Sequence, residues 1–143
     1  MKYFVSACLL GENCKWNGGN NYDSCLSSLL FDQEVSLICP EVEGGLSTPR
    51  CPIEIKDGRA LDKEGNDYTS CFLNGAERIL AKAKSENPDA FILQPRSPSC
   101  GLGNIYDGTF SGKLIKGNGF LCQILIENGY KVYTPDDFKS LNI

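Results

Sequence analysis

Histidine is absent from the sequence, and this absence excludes more chemistry than any other feature of the composition. Ser-His-Asp triads, Cys-His pairs and zinc or non-haem iron sites that use imidazole ligands cannot be built without it. Any acid, base, nucleophile or metal ligand must therefore be Cys, Asp, Glu, Lys, Tyr or Ser.

Long apolar runs and an excess of basic residues are also missing. The longest uncharged apolar stretch, residues 3–10, is far short of the roughly 20 residues that a membrane span needs, and its start does not resemble a signal peptide. The 14 Lys and Arg against 18 Asp and Glu give a net charge of -4, which disfavours binding to a nucleic-acid polymer or a membrane surface. We therefore expect a cytoplasmic protein with a small-molecule partner.

No change in composition marks a linker within the 143 residues, of which 41% are hydrophobic. This length and apolar share suit one core. The sequence therefore predicts a single domain spanning residues 1–143.

Short apolar segments alternate with amphipathic ones along the chain. The predicted buried strands are residues 1–7, 35–38, 90–93 and 130–133. The predicted helices run from Tyr22 to Leu30, from a cap at Thr69 or Ser70 to Asn87, from Asn118 to Gly129, and onward from a cap at Thr134. This alternation predicts an α/β fold with a mainly parallel, doubly wound sheet and helices on both faces. Residues 53–56 and 59–62 flank Asp57-Gly58 and predict a small β-hairpin insertion.

Cysteine is abundant, with eight residues at positions 8, 14, 25, 39, 51, 71, 100 and 122. Without an export signal these cysteines are better explained as thiols or metal ligands than as disulfides. Cys8, Cys39 and Cys100 each follow a predicted parallel strand, and ligands bind at the carboxyl ends of such strands. We therefore expect these three thiols to face one cavity.

The other cysteines are weaker candidates. Cys25, Cys71 and Cys122 lie on predicted helices, where a small buried apolar side chain is the simplest explanation. Cys14 and Cys51 lie in loops near the same edge of the sheet, so each could be a fourth ligand, a resolving thiol or a residue without a role.

The spacing of the three strand-end cysteines leaves two kinds of site open. A zinc ribbon or a thioredoxin-like site is disfavoured because no C-x-x-C pair is present. A 4Fe-4S cluster accepts thiolates from distant loops, and three protein ligands leave one iron open. A reactive thiol without a cluster would give the same pattern.

Three loop motifs narrow this choice. They are SACLLG at 6–11, CPEVEGGL at 39–46 followed by TPR at 48–50, and SPSCG at 97–101. In this order, over nearly the whole chain, they resemble the thiouracil desulfidase family. The resemblance implies a Rossmann-like domain that binds a 4Fe-4S cluster through Cys8, Cys39 and Cys100. It also implies hydrolytic removal of sulfur from a thiolated pyrimidine, with Glu41 as the acid/base and Ser97 as the first serine of its motif.

The expected chemistry suits these residues. An open iron bound by thiolates attracts a thiocarbonyl sulfur, and a carboxylate close to a ligand is well placed to activate water. We expect Ser97 to orient that base or the water. The alternatives are a cluster-free thiol or persulfide sulfur carrier, and a cluster protein without catalysis.

The resemblance leaves two forms of the substrate open. The family includes members that prefer a free base and members that prefer a thiolated nucleotide. Lys113 and Lys116 precede the helix predicted near Asn118, where free N–H groups and an ammonium could hold a phosphate. This arrangement would favour a nucleotide. Where many relatives have a basic residue before the SPSC motif, this chain has Gln94-Pro95-Arg96, so substrate contacts there could differ.

Overall fold

The fold alternates strands and helices, as seen in a computed structural model that describes residues 1–142. Within this range the strands are β1 (Lys2–Ser6), β2 (Glu34–Ile38), β3 (Glu54–Lys56), β4 (Arg59–Leu61), β5 (Ala90–Ile92), β6 (Asn104–Tyr106), β7 (Leu114–Lys116) and β8 (Val132–Tyr133). The α-helices are α1 (Ser24–Leu29), α2 (Pro40–Glu43), α3 (Thr69–Glu86), α4 (Phe120–Glu127) and α5 (Pro135–Leu141). A short 3-10 helix, Ala7–Leu10, follows β1. The predicted domain extends to Ile143, which lies outside the described residues.

The central sheet has four parallel strands in the order β2-β1-β5-β8. Its inner strand β1 is buried on both faces. Phe4 packs into one apolar cluster with side chains of α3 and α4, and Val5 packs into another with side chains of α1 and α5. The predicted α/β, Rossmann-like fold with helices on both faces is confirmed. None of the helices within residues 1–142 is long and apolar enough to span a membrane.

Two hairpins lie beside this sheet, and the sequence predicted only one of them. Strands β3 and β4 pair antiparallel around Asp57 and Gly58, which both have positive φ, as the Asp-Gly turn requires. Strands β6 and β7 form a second antiparallel pair within a segment for which the sequence predicted no strand or helix. Every residue of β7 is exposed, so the alternation of buried and exposed residues that marks a strand is missing there.

Most predicted helix ends agree with the structure. Thr134 and Asp137 form a capping box at α5, and Asn87 ends α3 in a left-handed conformation. The predicted cap of α3 is wrong because Tyr68 occupies the N-cap position. The hydroxyl of Thr69 instead accepts a hydrogen bond from the backbone of Ala60, 3.0 Å away, and so ties α3 to β4.

The helical cysteines have different environments. Cys122 is fully buried in the core, as predicted, and burial raises its pKa to about 12. Cys71 is half-buried, whereas Cys25 is exposed, so its assignment to the core is wrong. The reason is that α1 begins only after its N-cap Asp23, and Leu26 is the residue of this helix that becomes fully buried.

Two glycines allow α2 and α3 to pack backbone to backbone. A Cβ atom at Gly44 would overlap the carbonyl oxygen of Cys71, and one at Gly75 would overlap that of Pro40. Gly44 therefore serves the contact between these two helices. This packing places α2, which follows Cys39, against α3.

Candidate active site

A cavity of about 530 Å³ lies beside the carboxyl ends of β1, β2 and β5. Its volume is within the range of small-molecule sites. It is lined by residues from the three predicted loop motifs, which the sheet brings together from distant parts of the chain. Among its lining residues are Cys8, Cys14, Cys39, Glu41, Ser97 and Cys100.

Cys8, Cys39 and Cys100 reach this cavity in different ways. Cys8 lies in the 3-10 helix after β1, and Cys39 directly follows β2 as the N-cap residue of α2. Cys100 lies further from its strand than expected, in the loop between β5 and β6, but this loop packs back against β1. The hydroxyl of Ser6 in β1 donates to the Cys100 sulfur at 3.4 Å. The three cysteines therefore line one cavity, whereas their role as ligands stays a prediction.

The surroundings of these sulfurs suit metal-bound thiolates. Asn21 donates to the Cys8 sulfur at 3.5 Å, and Ser6 donates to the Cys100 sulfur at 3.4 Å. Hydrogen bonds to ligand sulfurs tune iron–sulfur centres. Within residues 1–142, no three Cys, Asp or Glu side chains are grouped closely enough to hold a single metal ion. Thiolates of an iron–sulfur cluster bind different irons, and three thiols that reach one cavity from separate segments of the chain fit such a donor set.

Cys14 is a fourth thiol in this cavity, and the Cys39 sulfur donates to its carbonyl oxygen at 3.9 Å. Hydrogen bonding to Cys14 lowers the pKa of Cys8, whereas hydrogen bonding to Cys14 and burial raise the pKa of Cys39. Hydrogen bonding to Cys39 lowers the pKa of Cys14. Hydrogen bonding to Cys8, together with burial, outweighs this effect and raises the pKa of Cys14 to about 11. Burial raises the pKa of Cys100 to about 12.

Cys51 belongs to a different surface. It is exposed and lines a neighbouring cavity of about 470 Å³. Pro52, Glu54 and Gly112 line both cavities. Of the two loop cysteines, only Cys14 therefore lies with the three strand-end cysteines.

Glu41 is held by a hydrogen bond at each carboxylate oxygen. Arg50 Nε donates to Oε1 at 3.1 Å, and Ser99 Oγ donates to Oε2 at 2.7 Å. The side chain of Glu41 is 14% exposed and that of Arg50 is 7% exposed. Each oxygen retains further acceptor capacity, so this carboxylate can also bind a water molecule.

Ser99, rather than Ser97, contacts the carboxylate. Ser97 Oγ accepts a hydrogen bond from the backbone of Cys100 at 2.7 Å and lies 3.3 Å from Ser99 Oγ. Ser99 was not predicted as a site residue, although both serines belong to the same SPSC motif. Ser97 and Ser99 are two residues apart, and the motif alone does not show which of them contacts the carboxylate. The path of the loop determines this.

The phosphate site predicted near Lys113 and Lys116 is wrong. The first N–H groups of α4 already donate to backbone carbonyls of the loop between β5 and β6, including those of Pro98 and Ser99. Lys116 lies on the exposed strand β7. The cations that line the cavity are instead Lys15, Arg50 and Arg96.

Fold and site together define an α/β protein with a thiol-lined cavity at the carboxyl ends of its parallel strands. The model of the 2-thiouracil desulfurase family matches residues 4–137, and the chain belongs to this family.

Two relatives resemble the chain over nearly its whole length. The uncharacterized protein YbbK of Bacillus subtilis (strain 168) is 39% identical over 147 residues, which cover 96% of this chain and 97% of YbbK. The solved structure of TudS, a [4Fe-4S]-dependent thiouracil desulfidase, matches with a TM-score of 0.89 and 34% identity. That match covers 99% of this chain and 97% of TudS.

Proposed function

We propose that this protein is a [4Fe-4S]-dependent desulfidase that hydrolyses a thiolated pyrimidine. Water replaces the thiocarbonyl sulfur, so that the oxo-pyrimidine and hydrogen sulfide are the products and no net redox change occurs. Support comes from the single cavity that is lined by Cys8, Cys39 and Cys100 and by the partly buried Glu41 carboxylate. The likeness to TudS, which is [4Fe-4S]-dependent, supports the cofactor.

Cys8, Cys39 and Cys100 are the proposed ligands of the cluster. Each comes from a separate loop, as a cluster on distant cysteines requires. A cluster held by three thiolates supplies an open iron that acts as a Lewis acid toward the thiocarbonyl sulfur. Cys14 is left without a ligand role in this proposal.

Glu41 is the proposed proton carrier. As a carboxylate it accepts a proton from the attacking water, and the resulting carboxylic acid returns a proton to the departing sulfur. Ser99 donates to this carboxylate and fixes its orientation. Ser97 supports Ser99 and the backbone of Cys100, so its effect on the reaction is indirect.

The cavity contains an aromatic side chain that can contact the pyrimidine ring and cations that can contact a charged substituent. Trp16 lines it and is 47% exposed, so its indole is accessible to a pyrimidine ring. Lys15 and Arg96 line the same cavity and can attract a phosphate. The proposed substrates are therefore thiouracil or its nucleotide, to be compared in the same assay.

Anaerobic reconstitution with iron and sulfide, followed by a sulfide-release assay on thiobases and thionucleotides, tests the proposal. We expect a brown protein that releases hydrogen sulfide, and loss of colour on Cys→Ser substitution at position 8, 39 or 100. Cys51→Ser and Cys14→Ser are the controls and should keep both colour and activity. Sulfide release by a colourless protein would instead identify a cluster-free thiol enzyme, and a brown protein without sulfide release would identify a cluster protein without this catalysis.

A further inference from the structure

Arg50, the last residue of the TPR motif, has a more extensive set of contacts than an ion pair requires. Besides Glu41, its guanidinium donates to the carbonyl oxygen of Cys14 at 2.9 Å through Nη2. Nη1 donates to the carbonyl oxygen of Ser47 at 3.2 Å and to the hydroxyl of Thr48 at 3.1 Å. All three guanidinium nitrogens are therefore engaged, and Nε and Nη2 donate to the cavity-lining residues Glu41 and Cys14.

The backbone of Arg50 holds the same wall. Its N–H donates to the carbonyl oxygen of Trp16 at 2.7 Å. Cys14, Trp16 and Arg50 all line the cavity. One residue therefore connects the proposed acid/base to residues 14–16, which come from a loop far away in the sequence.

We infer that Arg50 is a positioning residue, which fixes the Glu41 carboxylate and the Cys14–Trp16 wall relative to each other. This inference rests on the proposed function. Arg50 acts through Glu41 and through the loop rather than by touching the substrate. Its planar fork matches several acceptors at once, which the single ammonium of lysine cannot do.

The expected loss follows from this geometry. Without the guanidinium, Glu41 keeps only the hydrogen bond from Ser99, and the Cys14 and Ser47 carbonyls lose a donor. A displacement of about 1 Å in an active site can reduce the rate about a hundredfold. We therefore expect kcat to fall about a hundredfold in Arg50→Gln, with a smaller change in KM. Arg50→Lys, which keeps the charge and some of the contacts, should recover part of this loss.

The experiment compares reconstituted wild type, Arg50→Gln, Arg50→Lys and Arg59→Gln, with rates normalised to bound iron. Arg59 is the matched control because its ion pair with Asp67 is exposed and remote from the cavity lining. The chain has one tryptophan, so acrylamide quenching of its fluorescence reports on the Cys14–Trp16 wall in the cluster-free protein. Quenching should increase in Arg50→Gln and stay unchanged in Arg59→Gln.

A double variant distinguishes positioning from a general structural role. If Arg50 acts through Glu41, adding Arg50→Gln to Glu41→Gln should cost little further activity, whereas independent effects would multiply. Multiplied losses, an unchanged kcat in Arg50→Gln or unchanged quenching would overturn the inference. If the wild type releases no sulfide, the proposed function itself is overturned. Failure of the proposed function can therefore be told apart from failure of the inference about Arg50.

Discussion

At the residue scale, the carboxylate of Glu41 connects several polar residues of the cavity. Glu41 receives hydrogen bonds from Arg50 and Ser99, and Ser99 in turn contacts Ser97 and the sulfur of Cys100. The proposed acid/base and a proposed ligand therefore belong to one hydrogen-bonded network. Substitutions within this network should separate proton transfer from cluster binding.

Glu41→Gln should keep the brown colour of the reconstituted protein and lose at least a hundredfold in rate. A positioned acid/base typically contributes about 10² to 10⁴ in rate, and glutamine cannot accept the proton. Sulfide release at saturating substrate measures the loss. The control is Glu43→Gln, on the same helix, whose carboxylate pairs with Lys82. A colourless Glu41→Gln would make the carboxylate part of the cluster's support, and a fully active one would remove it from catalysis.

Ser99→Ala should reduce kcat more than Ser97→Ala. Ser99 loses a direct hydrogen bond to a carboxylate, and such charge-assisted bonds are typically worth about 1.5–3 kcal/mol, equivalent to about ten- to a hundredfold in rate. Ser97 touches the carboxylate only through Ser99, so its removal should have a smaller effect. Steady-state kinetics of both variants, normalised to iron, measure the difference. The reverse order would assign the orienting role to Ser97.

At the scale of elements, the close packing of α2 against α3 determines where Cys39, Pro40 and Glu41 lie. Gly75→Ala should destabilise the protein by about 1–3 kcal/mol, because the added methyl group would overlap the carbonyl of Pro40 and a well-packed site cannot absorb it. This loss should appear although alanine favours helix over glycine by about 1 kcal/mol. Urea unfolding of the cluster-free protein measures it. Asn74→Ala, an exposed neighbour on α3, is the control, and a Gly75→Ala protein as stable as wild type would contradict this account of the packing.

Asp23 links α1 to the C-terminal helix and makes their stability depend on pH. Burial alone would raise its pKa, but hydrogen bonds from Lys139 and from the backbone of Leu26 outweigh burial and lower it. Because the folded pKa is lowered, the contribution to stability is present above the unfolded pKa of about 3.9 and is lost as the pH falls through the folded value.

Asp23→Ala should therefore cost about 1 kcal/mol at neutral pH, as the loss of an N-cap does, and progressively less in acid. Urea midpoints of both proteins between neutral pH and about pH 3 measure the difference. Asp23→Asn, which keeps a capping oxygen, should lie between the two. A difference that persists unchanged below the unfolded pKa would show that the charge of Asp23 is not involved.

The molecule as a whole should unfold as one unit, which is our proposal for the domain organisation. Two apolar clusters share the central sheet, and a third lies beneath the β3–β4 hairpin against Phe72 of α3. Small single domains of this size usually unfold in one cooperative transition. Far-UV circular dichroism and Trp16 fluorescence of the cluster-free protein should therefore give the same urea midpoint. Two separate midpoints would divide the chain into independently stable parts.

Local patterns predicted the elements whose signals are contained in a few neighbouring residues. The apolar runs at β1, β2 and β5, the Asp-Gly turn between β3 and β4, and the Thr134 capping box are of this kind. Strand β7 could not be predicted because it is exposed and pairs only with β6. Cys25 was misplaced because α1 begins at Ser24, so that the apolar spacing starting at Tyr22 did not coincide with one face of a helix.

The sequence by itself determined the fold class, the family resemblance and the strand-end position of Cys8 and Cys39, because these depend on local periodicity and on motifs. Only the tertiary structure decided which side chains meet. In the tertiary structure Ser99 contacts Glu41, Cys14 lies beside Cys8, and the loop that carries Cys100 packs against β1. These contacts join residues far apart in the chain or choose between near neighbours. They depend on how loops pack across strand ends, which no local pattern specifies.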